Sequence, residues 1–294
     1  MTESTTQNTS TGNTPTDTVT LNDGNTIPQL GLGVWELTPE EAYTSTRAAI
    51  AAGIRHIDTA AGYGNEANVG RAIADAIEAG EVTRDDLFIT TKLWNADQGF
   101  GEAKAALGVS LSNLGLDHVD LYLIHWPNPG LGLYVEAWKA LIEARDRGLV
   151  RHIGVCNFLP EHLETLERET GELPVVNQIE LHPEFPQTDA LAWNTDHGII
   201  TESWSPLNRG EVLVAAPVAA AAAAHDVTPG QVILAWHRSR GAVAIPKASS
   251  QARQQENLES LQLDLTDAEI AAITALGRPD GRRKDQDPAV YEEF

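Results

Sequence analysis

The chain has 294 residues, 42% hydrophobic and 21% charged, enough apolar material for one large core or two small ones. Its net charge of −22, from 42 acidic against 20 basic side chains, repels a phosphate backbone and argues against nucleic-acid binding. The single cysteine, Cys156, excludes an internal disulfide and a thiolate zinc cluster, and no run of about 18 apolar residues exists to span a membrane. The acidity fits two readings. One is plain solubility; the other is a halophilic, salt-rich cytoplasm, where the screening length falls to roughly 3 Å at molar salt.

Residues 1–18 are almost all Thr, Ser, Asn, Gln and Gly, and read as a disordered tail without the basic start and apolar middle of a signal peptide. A cytoplasmic location follows as the expectation. Residues 19–294 read as a single domain. It opens with a hairpin that turns at Asn22-Asp23-Gly24-Asn25. Eight short apolar strands follow: Leu32–Trp35, Arg55–Asp58, Leu87–Lys92, Val119–His125, His152–Cys156, Val175–Glu180, Ile199–Trp204 and Ala242–Pro246. Helix-length segments alternate with them, among them Pro39–Ala52, Asn65–Ala79, Gly101–Leu114, Tyr134–Arg147 and Thr228–Arg238. Thr38, Thr228 and Thr266 offer N-caps, and Gly53, Gly80, Gly148, Gly198 and Gly241 offer helix stops.

This alternation suits either a (β/α)8 barrel or a doubly wound sheet. The first strand lacks the glycine triplet of a dinucleotide-binding turn. The strands also end in polar or reactive residues: Asp58, Lys92, His125, Asn157, Glu180 and Lys247. A barrel gathers such ends in one mouth, so an α/β TIM barrel with the hairpin at its bottom is the expected fold.

Asp58, Lys92 and His125 then stand on successive strand ends, with Tyr63 in the glycine-flanked turn after Asp58. A phenol, an ammonium, a carboxylate and an imidazole suit proton donation to a carbonyl oxygen. A neighbouring ammonium lowers a phenol's pKa, the carboxylate holds the ammonium charged, and the imidazole orients the acceptor. No side chain supplies a hydride, so a cofactor is required. No metal-ligand pair of the H-E-x-x-H or H-x-H kind is present.

Five ordered blocks carry a resemblance to a known family. They are Gly53-Ile54-Arg55-His56-Ile57-Asp58-Thr59-Ala60 with Tyr63, Glu66 and Val69-Gly70; Leu121–Pro127; Ile153–Phe158; Val176–Pro183; and Ile245-Pro246-Lys247 with Arg253, Glu256 and Asn257. In these the chain resembles the aldo-keto reductases, and most nearly their 2,5-diketo-gluconate reductase-like branch. The resemblance implies reduction of an aldehyde or ketone, a keto-sugar acid or diketone included, with NADP(H), NAD(H) being a weaker alternative. It makes Asp58, Tyr63, Lys92 and His125 the catalytic tetrad, with Tyr63 the general acid.

The resemblance also implies a cofactor site. Asn157 and Gln178 would hold the nicotinamide carboxamide, and Trp204 would stack on its ring. Ser205, Leu207 and Asn208 would line the pyrophosphate. Lys247 and Arg253 would meet the 2′-phosphate, with Ser249 or Ser250 standing in for the hydroxyl that Ala248 lacks. Glu256 and Asn257 would contact adenine. Trp35, Trp94, Trp126 and His125 would face a small-molecule carbonyl substrate, and the Pro127–Leu133 loop would form a mobile wall. A monomer is expected, without metal. Two further readings stay open: a cofactor-binding regulatory protein on the same barrel, and a metal-dependent hydrolase using His125, His182 and Asp58.

Overall fold

A computed structural model of the chain describes residues 17–279 and 281–292. Of the expected tail, residues 1–16 lie outside the described residues, and Thr18 already opens a strand. Strands β1 (Thr18–Thr20) and β2 (Thr26–Pro28) pair antiparallel. Gly24, at φ +85°, supplies the left-handed residue their turn needs.

Eight parallel strands follow: β3 (Gly31–Gly33), β4 (His56–Asp58), β5 (Phe88–Leu93), β6 (Val119–Ile124), β7 (Val150–Cys156), β8 (Val176–Glu180), β9 (Ile200–Trp204) and β10 (Val243–Ala244). Each pairs with its neighbour in chain order. A parallel bridge between Leu30 and Ala244 joins the last strand to the first. The Gly33 N–H donates to the Pro246 carbonyl at 3.2 Å and the Ala244 N–H to the Gln29 carbonyl at 3.3 Å. The ring therefore closes, and its uninterrupted strand order replaces the reversal a doubly wound sheet would have.

The helices are α1 (Pro39–Ala52), α2 (Glu66–Glu78), α3 (Phe100–Leu114), α4 (Tyr134–Asp146), α5 (Pro160–Thr170), α6 (Thr188–Asp196), α7 (Ala216–His225), α8 (Pro229–Ser239), α9 (Gln251–Glu259) and α10 (Asp267–Thr274). Thr38, Thr228 and Thr266 each close a capping box, satisfying backbone N–H groups at the starts of α1, α8 and α10. Ile57, Ile89, Tyr122, Ile153 and Val155 belong to the core between barrel and helices. Trp138 and Trp236 are fully buried there as packing residues.

The period of two along each strand sends alternate residues to the barrel interior. Near the bottom these are apolar: Phe88, Leu121, Leu123, Val176 and Val243 pack under Leu21 and Ile27 of the hairpin. The turn is tied down by Asp23, whose carboxylate lies 2.7 Å from His152 in β7. Polar groups occupy the other interior level, toward the C-terminal ends of the strands.

Candidate active site

Lys92 has no exposed side-chain surface, and Asp58 has almost none. The Lys92 Nζ donates to Asp58 Oδ1 at 2.6 Å and to the Thr59 carbonyl at 3.0 Å, and reaches the Tyr63 hydroxyl at 3.5 Å. Burial alone would lower the pKa of the ammonium; the charge of Asp58 and then Tyr63 outweigh it and hold Lys92 above its ordinary value. For Tyr63 the balance differs from the sequence expectation. Burial raises the phenol well above its usual range, and Lys92 pulls it only part of the way back. Tyr63 is thus firmly protonated, as a proton donor must be before it acts.

Tyr63 ends a short helical turn, Ala61–Tyr63, after β4. Gly62 in that turn lies under Trp94: a Cβ there would come within 2.1 Å of the indole. The His125 ring meets Tyr63 edge-on at 5.8 Å between centroids and Trp94 at 5.5 Å. Burial, then the charge of Lys92, push the imidazole down to about 3, so it is neutral at physiological pH. Its Nδ1 is buried without a hydrogen-bond partner among the described residues. The four residues singled out in the sequence are therefore one cluster.

Asn157 follows β7 in a left-handed conformation, φ +63°. Its amide donates to the His125 carbonyl at 3.1 Å and accepts from Trp204 Nε1 at 2.8 Å, which fixes a half-buried indole. Gln178 Nε2 donates to Asp58 Oδ2 at 2.9 Å and to Glu202 Oε2 at 2.5 Å. Both of its hydrogens are engaged, so the amide oxygen is the atom left for a ligand.

The loop after β9 holds Ser205, Asn208, Arg209 and Gly210 at positive φ. Such a run turns backbone N–H groups toward one concave side, a cradle for anionic oxygens. Leu207 packs half-buried beside it, and Asn208 is held by Glu184 and Arg283. Lys247, Ser249 and Arg253 are exposed beyond β10, while Ala248 is buried. Ser250 is spent as the N-cap of α9, accepting from the Arg253 N–H. Ser249 is the hydroxyl that remains. Farther along α9, Glu256 accepts from Thr228 at 2.6 Å and Asn257 is buried. A left-handed loop, two exposed cations and a helix N-terminus form a donor set that fits a dinucleotide carrying an extra phosphate.

Trp35 is 40% exposed and lies between Arg209 and Lys284, whose cations stand 5.0 and 5.3 Å from its ring. Trp126 is only 4% exposed and packs against Tyr291 at 4.6 Å, so its indole is chiefly a packing group. The 127–133 loop is pinned where the Gly130 N–H donates to Glu292 Oε1 at 2.6 Å. Sequence reading missed this C-terminal rim; the apolar run Ala289-Val290-Tyr291 in a charged end was its signal. It also missed Glu36, which pairs with Arg209 at 3.1 Å and faces Lys247 at 3.9 Å. Cys156 is buried, and burial pushes its thiol up, consistent with a packing role. His182, offered as a metal ligand in one reading, pairs with Glu180 at 3.1 Å, and among the described residues no group of three or more His, Cys, Asp or Glu could hold a metal ion.

Residues 28–278 match the model of the aldo/keto reductase family. An aldo-keto reductase of Mycolicibacterium smegmatis is 46% identical over 273 residues, covering 93% of this chain and 97% of the relative. The methylglyoxal reductase DkgA of Escherichia coli is also 46% identical, over 275 residues, with 93% and 97% covered. Among solved structures, a mutant of Gox0644 in complex with NADPH superposes with a TM-score of 0.89 at 41% identity, covering 95% of this chain and 99% of that one.

Proposed function

The chain belongs to the aldo/keto reductase family, and from that premise we propose that it reduces a small aldehyde or ketone to the alcohol with NADPH, with NADH as a weaker alternative. The observation that carries the reading is Lys92, sealed between Asp58 and the Tyr63 hydroxyl. The cofactor, when bound, supplies the hydride that the carbonyl carbon receives. Tyr63 gives its proton to the carbonyl oxygen, and solvent restores it. Lys92 stabilises the phenolate that the transfer leaves, and Asp58 keeps the lysine charged and in place. Neutral His125, beside the phenol, orients the carbonyl. Trp204 and the amides of Asn157 and Gln178 would seat the nicotinamide, the loop 205–210 the pyrophosphate, and Lys247, Ser249 and Arg253 the 2′-phosphate. Glu256 and Asn257 would meet the adenine.

Exposed Trp35 and half-buried Trp94 form an aromatic rim, which favours a compact, partly apolar carbonyl compound such as a dicarbonyl or keto-acid. We take the protein to act as a cytoplasmic monomer. The test is NADPH oxidation with methylglyoxal, 2,5-diketo-gluconate and a panel of aldehydes and keto-acids, run with size-exclusion chromatography on the active fraction. Carbonyl-dependent oxidation, faster with NADPH than with NADH, is expected. Tight NADPH binding without turnover of any carbonyl would favour the regulatory reading instead.

A further inference from the structure

Beneath the Asp58–Lys92 pair lies a carboxyl that the reaction as described does not use. Glu202, at the middle of β9, has no exposed side-chain surface. It lies beside Gln178 in the register of β8 and β9. A continuous chain results: Glu202 Oε2 accepts from Gln178, Gln178 donates to Asp58 Oδ2, Asp58 Oδ1 accepts from Lys92, and Lys92 reaches Tyr63. The other oxygen, Glu202 Oε1, has no hydrogen-bond partner among the described residues, and the nearest titratable nitrogen, His56 Nε2, is 3.6 Å away. That nitrogen is bonded to Thr90 at 2.9 Å.

The groups facing Glu202 are His56 and Asp58 from β4, Lys92 from β5 and Cys156 from β7. His56 and Cys156 are both held neutral by burial, so one cation stands against Asp58 and Glu202. With Glu202 protonated the interior charges cancel. With it ionised, a second buried negative charge is left without a partner. We propose that Glu202 is a positioning residue for carbonyl reduction: through Gln178 it fixes Asp58 against Lys92, and its protonation state sets the alkaline limit of the reaction. The proposal rests on the reductase reading above. Burial, then the charge of Asp58, raise the carboxyl to about 8, which places the transition within reach of experiment. Ionisation adds negative charge below the phenol, so Tyr63 holds its proton more tightly and turnover falls as pH rises.

The experiment compares kcat and KM for NADPH-dependent reduction from pH 6 to 10 in the wild type, Glu202→Gln and Glu202→Ala. The wild type is expected to lose kcat above about pH 8. Glu202→Ala strands a hydrogen of Gln178 and lowers kcat at pH 7 by about tenfold with little change in carbonyl KM. Glu202→Gln restores most of that loss and moves the alkaline fall to higher pH by a unit or more. Infrared difference spectra give a readout independent of turnover: a protonated-carboxyl band present at pH 7, absent in Glu202→Gln, and lost from the wild type above pH 8. A Glu202→Gln profile that overlays the wild type, or no such band at pH 7, overturns the proposal. Absence of any carbonyl reduction by the wild type overturns the reductase reading instead, so the two failures are distinguishable.

Discussion

Asp58 Oδ1 and Lys92 Nζ lie 2.6 Å apart in a barrel interior that excludes water from both. A buried pair of this kind is costly to break on one side, because the surviving charge is left uncompensated. Lys92→Met should therefore cost about 3–5 kcal/mol of stability as well as most of the activity. The double change Asp58→Leu with Lys92→Met should recover much of the stability and none of the turnover. Urea melts beside kcat measurements check this; a double variant no more stable than Lys92→Met would contradict the assigned role of the pair.

Removing one oxygen isolates the proton donor. Tyr63→Phe keeps the ring against His125 and deletes the hydroxyl that faces Lys92. Carbonyl reduction should fall by at least about 10²-fold, the usual scale for general acid catalysis. Quenching of tryptophan fluorescence by NADPH should be nearly unchanged. Substantial turnover by this variant would place the proton source elsewhere.

Much of this arrangement was legible in the sequence because it is local. Threonine N-caps marked the starts of α1, α8 and α10, and polar residues after apolar runs marked six of the strand ends. What could not be read depends on closure. Gly130 and Glu292 are 162 residues apart and meet only because the chain end returns across the mouth. Glu202 sits in Ile-Thr-Glu-Ser-Trp, a run with no local sign that its carboxyl points inward toward Gln178. The state of Tyr63 was half legible: Lys92 acts in the expected direction, but burial, invisible in spacing, dominates.

Acid should destabilise the fold before the surface carboxylates titrate. Burial first of all pushes His56, His125 and His237 down to about 3, from an unfolded value of about 6.5. Between pH 6.5 and 4.5 the unfolded chain thus binds up to three more protons at these sites. Glu202 opposes with one, since the folded state keeps a proton that the unfolded state releases above its ordinary pKa. The net difference approaches two protons near pH 5, a loss of about 3 kcal/mol per pH unit. Urea midpoints measured from pH 7 to 5 should fall accordingly; midpoints constant over that range would refute the neutral burial of these imidazoles.

Salt should act in the opposite sense. The chain carries −22, and exposed acids such as Glu161, Glu164 and Glu167, spaced three residues apart on α5, repel one another at low ionic strength. Screening weakens that repulsion more than it weakens the buried Asp58–Lys92 pair. Raising KCl from 0.05 to 2 M is expected to raise Tm by about 5 °C or more. A melting temperature indifferent to KCl would assign the acidity to solubility alone.

Cofactor choice turns on the cations beyond β10. Lys247 and Arg253 are exposed on either side of the α9 cap, and Lys247 has Glu36, at 3.9 Å, and Glu41 as carboxylate neighbours. Arg offers a planar fork and Lys a point charge, a combination suited to a phosphate monoester. Lys247→Ala or Arg253→Ala should raise KM for NADPH by about 10–100-fold, the worth of one charge-assisted hydrogen bond, while KM for NADH moves little. Because Ser250 is committed to its helix, Ser249→Ala should add a smaller loss, again confined to NADPH. Equal losses with both cofactors would move the 2′-phosphate away from this corner of the barrel.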